Sequence, residues 1–265
     1  MEDEDMEEIA PPPSPEALTN SEGFNTQEAG RRWVRRGMIR AVVFDLDGTL
    51  IHFDIDDMAL KEEVLRALGR LGIPTSSLSP EDTLTTILDK VECYIKASGL
   101  GDEFKKEAWA EVFRIAERFE AASVNSAKPM PGAADVLAAL KEKGLKIGLL
   151  TLNSSAIAIN VLKRFGLERF FDAMVARDFV EEAKPNPGHL SSLLKELGVE
   201  PSEVMVVGDT VFDIRCAKEL GAIAVGITTG RSSREELEAA GADFIVNSLS
   251  ELIPLLSKLR EGRGR

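Results

Sequence analysis

Two aspartates one residue apart close the first apolar run of the chain, in Asp45-Leu46-Asp47-Gly48-Thr49-Leu50. In an extended strand the side chains at 45 and 47 share a face, and Gly48 lets the backbone turn sharply afterwards. Like charges this close are costly to bury unless a cation lies between them or one carries a proton. The structural alternative is an Asp-rich turn whose side chains satisfy loop amides. Other residues of chemical interest follow the same rule of position. Gly208-Asp209 ends the run Val204–Val207, and Asp213 comes four residues later, one turn along and on one side of a helix starting there. Thr151 ends the run Leu145–Leu150, and Lys184-Pro185 precedes a helix beginning near Gly188. A Lys-Pro pair alone reads as a solvated turn. Together, two acids, a hydroxyl, a lysine and two more acids all fall at or just beyond strand ends.

The elements that must position them follow from the apolar pattern. Ala41–Phe44 is a continuous apolar run of the kind that suits a strand buried on both faces. Similar runs recur at Lys146–Thr151, Asp172–Ala176, Val204–Gly208, Ala222–Ile227 and Asp243–Val246. Helical patterns separate or follow the later ones, at Ala133–Lys143, Ala156–Phe165, His189–Leu197, Phe212–Leu220, Arg234–Ala240 and Leu249–Leu259. Strands alternating with helices predict an α/β fold with a Rossmann-like parallel sheet, whose strand ends converge on one edge. The alternation breaks once, between the first and second strands. There Leu60, Val64, Leu68 and Leu71 share one helix face, as do Leu84, Ile87, Leu88, Val91 and Ile95, and Phe104, Ala108, Val112, Ile115 and Phe119. These stripes predict a small α-helical cap inserted just after the first strand, where open α/β sheets place their ligands. The expected organisation is a core of residues 38–53 and 129–265 with the cap at 54–128.

Residues 1–37 read differently. Six of the first eight are acidic, Pro11, Pro12, Pro13 and Pro15 follow, and no apolar periodicity appears, a composition expected of a disordered tail. Its Arg31, Arg32, Arg35 and Arg36 surround Trp33; a solvated tail is the plain reading and a small anionic docking arm the functional one.

The whole chain of 265 residues carries a net charge of −13, which argues against a nucleic-acid partner, since phosphate neutralisation needs clustered Lys and Arg. No apolar stretch is long enough to span a membrane, and the acidic opening is unlike a secretory leader. The two cysteines, Cys93 and Cys216, are too far apart in sequence for a CxxC site and fit a reducing, cytoplasmic setting. Nothing in the sequence sets an oligomeric state.

Taken together, Asp45-Leu46-Asp47-Gly48-Thr49, Thr151, Lys184-Pro185 and Gly208-Asp209 with Asp213 resemble the motifs of the haloacid dehalogenase superfamily of aspartate-nucleophile phosphohydrolases. The sequence is most similar to the phosphoglycolate phosphatase-like branch with a helical cap, over residues 39–259. The resemblance implies that Asp45 is the nucleophile and Asp47 the general acid and base. It implies Mg²⁺ held by Asp45, the Asp47 backbone carbonyl and Asp209, in keeping with the oxygen ligands magnesium prefers. Thr151 and the Leu152 backbone N–H would bind phosphate, Lys184 would neutralise Asp45 and the transferring group, and Asp213 would support Lys184 or a metal-bound water.

Two departures matter. Relatives often place Asn directly after the motif Thr, whereas here Leu152 intervenes before Asn153, so no role is expected of the Asn153 side chain. Dehalogenating relatives lack the second aspartate, so Asp47 disfavours dehalogenation. The remaining candidates read as ordinary: His189 as a surface residue, Cys93 and Cys216 as buried thiols, and His52 as a residue that could point into the cleft. The function expected is Mg²⁺-dependent hydrolysis of a small-molecule phosphate ester. A sugar phosphomutase of the β-phosphoglucomutase kind uses the same core, and a non-catalytic phosphate-binding protein would also keep the fold.

Overall fold

In the computed structural model, which describes residues 38–180 and 183–261, the Ala-Val-Val-Phe run forms β1 (Ala41–Phe44), buried along its whole length. Its side chains alternate. Val42 and Phe44 enter one apolar cluster and Ala41 and Val43 enter another, as a strand covered on both faces requires. β1 pairs in parallel with β4 (Lys146–Thr151) on one side and β6 (Val204–Gly208) on the other. β5 (Ala173–Ala176), β7 (Ile223–Ile227) and β8 (Phe244–Val246) complete a six-stranded sheet of order β5-β4-β1-β6-β7-β8. The chain runs outward from β1 to β5, then returns to β6 and runs the other way. β1 therefore sits where the strand order reverses, the place where open α/β sheets open a crevice at their carboxyl ends.

Helices cover both faces. On the Phe44 face lie α4 (Ala133–Glu142), α5 (Ser155–Arg164) and α9 (Leu252–Glu261), through Leu137, Val161 and Leu256 among others. On the Val43 face lie α6 (Pro187–Leu197), α7 (Val211–Leu220) and α8 (Arg234–Ala239), through Leu193, Ile214 and Leu237. Element ends differ slightly from expectation, for physical reasons. Asp172 and Asp243 lie just outside β5 and β8; their carboxylates accept the backbone N–H groups of Ile147 and Ala224 on neighbouring strands, at 2.7 and 2.9 Å. The helix expected at 249–259 begins as a 3₁₀ turn, Leu249–Glu251, before α9.

The inserted segment forms α1 (Asp57–Arg70), α2 (Leu84–Ala97) and α3 (Asp102–Ser123). Asp56 caps α1 and Thr83 caps α2, each accepting a backbone N–H of the first turn. The three helices enclose their own core of Leu60, Val64, Leu68, Ile87, Leu88, Val91, Ile95, Val112 and Ile115, and Phe212 of α7 completes it from the sheet side. Where the chain enters and leaves this segment, β2 (Ile51–His52) and β3 (Lys128–Pro129) pair antiparallel. That ribbon is two residues long on each side, too short for any periodicity to announce it. Among the described residues no helix is long and apolar enough to cross a membrane. The tail expected at 1–37 lies outside the described residues.

Two expectations are corrected. Cys93 is exposed on the cap, and only Cys216 is buried. Cys93 lies off the stripe formed by Ile87, Leu88, Val91 and Ile95, on a face that borders the cleft between the cap and residues Ala183–Pro187. His189 is fully buried rather than on the surface. α6 starts at Pro187, and His189 falls on its inner stripe with Leu190, Leu193, Leu194 and Leu197.

Candidate active site

The register brings the chemistry together. Phe44 lies level with Leu149 and with Val207, so Asp45, Thr151 and Asp209 emerge side by side at the carboxyl edge. The Asp45 N–H donates to the Val207 carbonyl at 2.9 Å, which extends the β1–β6 ladder to the last residue before the turn. Gly48 then takes φ +82°, a conformation that favours glycine. A Cβ there would come within 2.5 Å of Asp209 Oδ2, and one at Gly230 within 2.0 Å. The Asp209 carboxylate therefore rests in a cradle only glycines allow. Its Oδ1 accepts the Thr49 hydroxyl at 3.1 Å and its Oδ2 the Arg231 backbone N–H at 2.8 Å.

Lys184, from the loop before α6, is 2 % exposed. Its Nζ donates to Asp45 Oδ1 at 2.6 Å, Asp213 Oδ1 at 2.6 Å and the Leu150 carbonyl at 3.0 Å, which uses all three of an ammonium's protons. Burial alone would depress its pKa, but the charges of Asp213 and Asp45 outweigh it and hold the lysine above its ordinary value. Asp213 is committed on both oxygens, since its Oδ2 accepts the Thr210 N–H at 3.1 Å and the Thr210 hydroxyl at 2.6 Å. That arrangement suits a residue holding Lys184 in place.

Carboxylate oxygens of Asp45, Asp209 and Asp213 lie within 4.8 Å of one another, all buried. Burial raises the Asp45 pKa well above the usual range; Lys184 opposes the shift, while Asp213 and Asp209 add to it. Burial, with the charge of Asp213, pushes Asp209 up to about 7. A buried, oxygen-only donor set with more negative than positive charge fits a hard divalent cation such as Mg²⁺.

The phosphate-binding candidates sit beside these acids. The buried Thr151 hydroxyl donates to Asn153 Oδ1 at 2.9 Å and accepts the Asn153 N–H at 3.0 Å. The Asn153 side chain, from which nothing was expected, is thus buried against the motif threonine. Leu152 is half-buried and packs on the cap's core, and its carbonyl accepts the Arg177 guanidinium. Arg177 also bonds the buried Glu120 of α3, at 3.2 and 3.3 Å, so the loop after β4 is tied to the cap.

His189 acts behind the site. Its Nδ1 accepts the Lys184 backbone N–H at 3.0 Å, and its Nε2 faces the Val175 carbonyl at 3.2 Å. Burial, helped by the Lys184 charge, drops its pKa to about 3, so the ring is neutral with its proton on Nε2. Sequence reasoning missed Arg231 altogether. Its guanidinium bonds Asp47 Oδ2 at 2.9 Å and Asp57 Oδ1 at 2.7 Å. The signal was available, because Arg231 follows the carboxyl end of β7 on the same edge as the other site residues. His52, Lys61, Thr83, Asp57, Asp47 and Arg231 border a cavity of about 270 Å³ beside the site. A larger cleft of about 700 Å³ between the cap and residues Ala183–Pro187 contains none of the clustered acids.

A parallel α/β sheet with acids, a lysine and a threonine gathered at its switch point, under an inserted helical module, is the architecture of a Rossmann-like hydrolase. The chain belongs to the haloacid dehalogenase-like hydrolases, whose family model matches residues 39–221. It is 30 % identical over 223 residues to a phosphoglycolate phosphatase of Chromobacterium violaceum, covering 82 % of this chain and 96 % of that one. It is 29 % identical over 233 residues to a phosphoglycolate phosphatase of Shigella dysenteriae, covering 82 % and 92 %. Among solved structures, a candidate β-phosphoglucomutase of Bacteroides vulgatus superposes with a TM-score of 0.63 at 22 % identity, covering 91 % and 98 %. That likeness speaks to the fold.

Proposed function

We propose that the chain is a Mg²⁺-dependent phosphatase that hydrolyses a small phosphomonoester through an aspartyl-phosphate, with 2-phosphoglycolate the first substrate to test. The observation that carries this reading is the buried Asp45 carboxylate at the end of β1, bonded to Lys184 and grouped with Asp209 and Asp213. Such a carboxylate is positioned for covalent catalysis. Asp45 attacks phosphorus, the bond to the leaving oxygen breaks, and Asp47 gives that oxygen a proton. Water then attacks the aspartyl-phosphate, Asp47 takes the water's proton, and orthophosphate leaves as Asp45 is regenerated. Thr151 turns its hydroxyl proton from Asn153 to a phosphoryl oxygen, with the Leu152 N–H beside it. Lys184, steadied by Asp213, balances the charge of Asp45 and of the group in transfer. Mg²⁺ would be held by Asp45, the Asp47 carbonyl and Asp209, and when bound would supply the positive charge that keeps both carboxylates ionised and offsets the phosphoryl oxygens.

The likeness to phosphoglycolate phosphatases favours hydrolysis over sugar phosphomutation. The free cysteines fit a cytoplasmic setting. The test is release of orthophosphate from 2-phosphoglycolate and from p-nitrophenyl phosphate with Mg²⁺, and its absence in Asp45→Asn. Hexose phosphates isomerised without release of orthophosphate would point to the mutase instead, and phosphate binding without turnover to a binding protein.

A further inference from the structure

We propose that Arg231 is the positioning residue for the leaving-group acid, an ionic tie that fastens Asp47 to the first helix of the cap. The inference rests on the phosphatase reading above and adds a residue that no motif in the sequence assigns. Its geometry is a chain of alternating charges. Arg231 Nη2 donates to Asp47 Oδ2 at 2.9 Å and Nη1 to Asp57 Oδ1 at 2.7 Å, while Lys61 Nζ lies 2.8 Å from Asp57 Oδ2. Asp47 belongs to the core loop after β1, whereas Asp57 and Lys61 belong to α1. Asp57 is the first residue of α1, where the helix dipole favours a carboxylate. Burial works against the Arg231 charge, but Asp47 and Asp57 outweigh it and raise its pKa.

The backbone of the same loop is pinned independently of these side chains. Thr229 donates its hydroxyl to the Gly48 carbonyl at 2.7 Å, Arg231 donates its N–H to Asp209, and Ser232 donates its N–H to the Asp209 carbonyl at 3.1 Å. The guanidinium thus projects from a base fixed to the catalytic edge and reaches out to the cap. A planar guanidinium serves two carboxylates at once with fixed directions, which an ammonium does not. Movement of α1 against the sheet must either carry the guanidinium along or break one of its two bonds. While both bonds hold, the Asp47 carboxylate registers where the cap stands, and the cavity bordered by Asp47, Lys61 and Arg231 is the place left for the alcohol part of a substrate.

A merely structural arginine, once removed, would slow all substrates alike. A residue that aims the acid slows substrates in proportion to how much the leaving oxygen needs a proton. The experiment measures single-turnover phosphoryl transfer over a series of phosphomonoesters, from alkyl phosphates to p-nitrophenyl phosphate, in wild type, Arg231→Gln, Arg231→Lys and Asp57→Asn. Arg231→Gln should lose roughly 10²-fold on alkyl phosphates and less than about 5-fold on p-nitrophenyl phosphate, within the range general acid catalysis contributes. Arg231→Lys should recover part of the alkyl rate. Asp57→Asn, which leaves the Arg231–Asp47 bond intact, should fall between wild type and Arg231→Gln on alkyl phosphates. Equal losses across the series in Arg231→Gln and Asp57→Asn would overturn the inference while leaving the phosphatase reading standing. If Arg231→Gln does not fold, Arg231→Lys and Asp57→Asn decide by the same slope. A wild type that hydrolyses none of the series would overturn both.

Discussion

Replacing Lys184 with methionine keeps the unbranched, flexible side chain, one atom shorter, and removes its charge. In the wild type the ammonium is 2 % exposed and 2.6 Å from both Asp45 and Asp213. Breaking a buried ion pair by deleting one partner typically costs about 3–5 kcal/mol, against a total stability of about 5–15 kcal/mol for a natural domain. The variant retains the three clustered acids, Asp45, Asp209 and Asp213, with no lysine among them. Part of the loss is avoidable at low pH, because carboxyls whose folded pKa is raised bind protons that the unfolded chain has already released. Asp209 sits at about 7 against 3.8 for a free aspartate, and Asp45 is raised as well. Stability tied to such groups is present below their unfolded pKa and lost as pH rises through the folded one. Lys184 lowers the Asp45 pKa in the wild type, so its removal raises that carboxyl further still, and the destabilisation of Lys184→Met should be largest near about pH 8 and smaller near about pH 5. A cation that binds the acids should reverse it, by about 2.7 kcal/mol at a concentration of 100 Kd. Urea unfolding of wild type and variant, in EDTA and in Mg²⁺, at both pH values measures all of this. A variant as stable as wild type in EDTA at the higher pH, or a loss of the same size at both pH values, would refute the reasoning that Lys184 is the counter-charge of a buried acid cluster.

If Asp209 holds Mg²⁺ as proposed, the ion must displace the proton this carboxyl carries below about 7, and its affinity should tighten as pH rises toward and through that value. Calorimetric titrations in two buffers of different ionisation heat should show proton release, and an affinity independent of pH would contradict the assignment. Asp209→Ala should weaken Mg²⁺ binding far more than Asp213→Ala, whose carboxylate is already spent on Lys184 and Thr210; equal losses would exchange their roles. Asp47→Asn should depress turnover of alkyl phosphates much more than phosphoryl transfer from p-nitrophenyl phosphate, by up to about 10²–10⁴-fold, read as a retained burst of p-nitrophenol with slow turnover after it. His189 has a folded pKa near 3 against 6.5 when free, so the fold should lose stability as pH falls from 6.5 toward 3 while the unfolded chain takes up the proton. His189→Asn should flatten that limb in a thermal melt, and an unchanged limb would place the acid sensitivity elsewhere.

How far the sequence could be read depended on whether a residue's position followed from a repeating pattern. The strands of the sheet are buried on both faces, so unbroken apolar runs mark them, and the sequence alone places Asp45, Thr151 and Asp209 at one edge. The cap stripes at 60–71, 84–95 and 104–119 were legible for the same reason. His189 was misjudged through its chemistry: a histidine near a helix start looked solvated, yet it stands four residues before Leu193 on the stripe that α6 buries. Cys93 was misjudged the opposite way, as an apolar-seeming residue that its own helix turns away from the cap's core. Arg231, Arg177 and Glu120 could not be paired in advance, because each contact joins elements far apart in sequence, and the β2–β3 ribbon is too short to have a period at all.

Phe212 has a consequence for how this molecule could be taken apart. It is the residue before Asp213, on a helix of the sheet layer, yet its ring is 2 % exposed inside the core of the inserted helices, with Leu152 and Val211 at the margin. The inserted segment therefore does not own its whole interior. Cut out as residues 54–128, it would lack a wedge supplied from a stretch some eighty positions further along the chain. Such a fragment would present an apolar socket to water, so it should fold only loosely alone and gain order when the sheet layer is added. The same dependence restricts modular exchange: a cap transplanted from a relative has to match the aromatic that awaits it, and that aromatic is covalently next to an acid of the site. Recombination that swaps one without the other would disturb a carboxylate through the backbone of a residue chosen for packing.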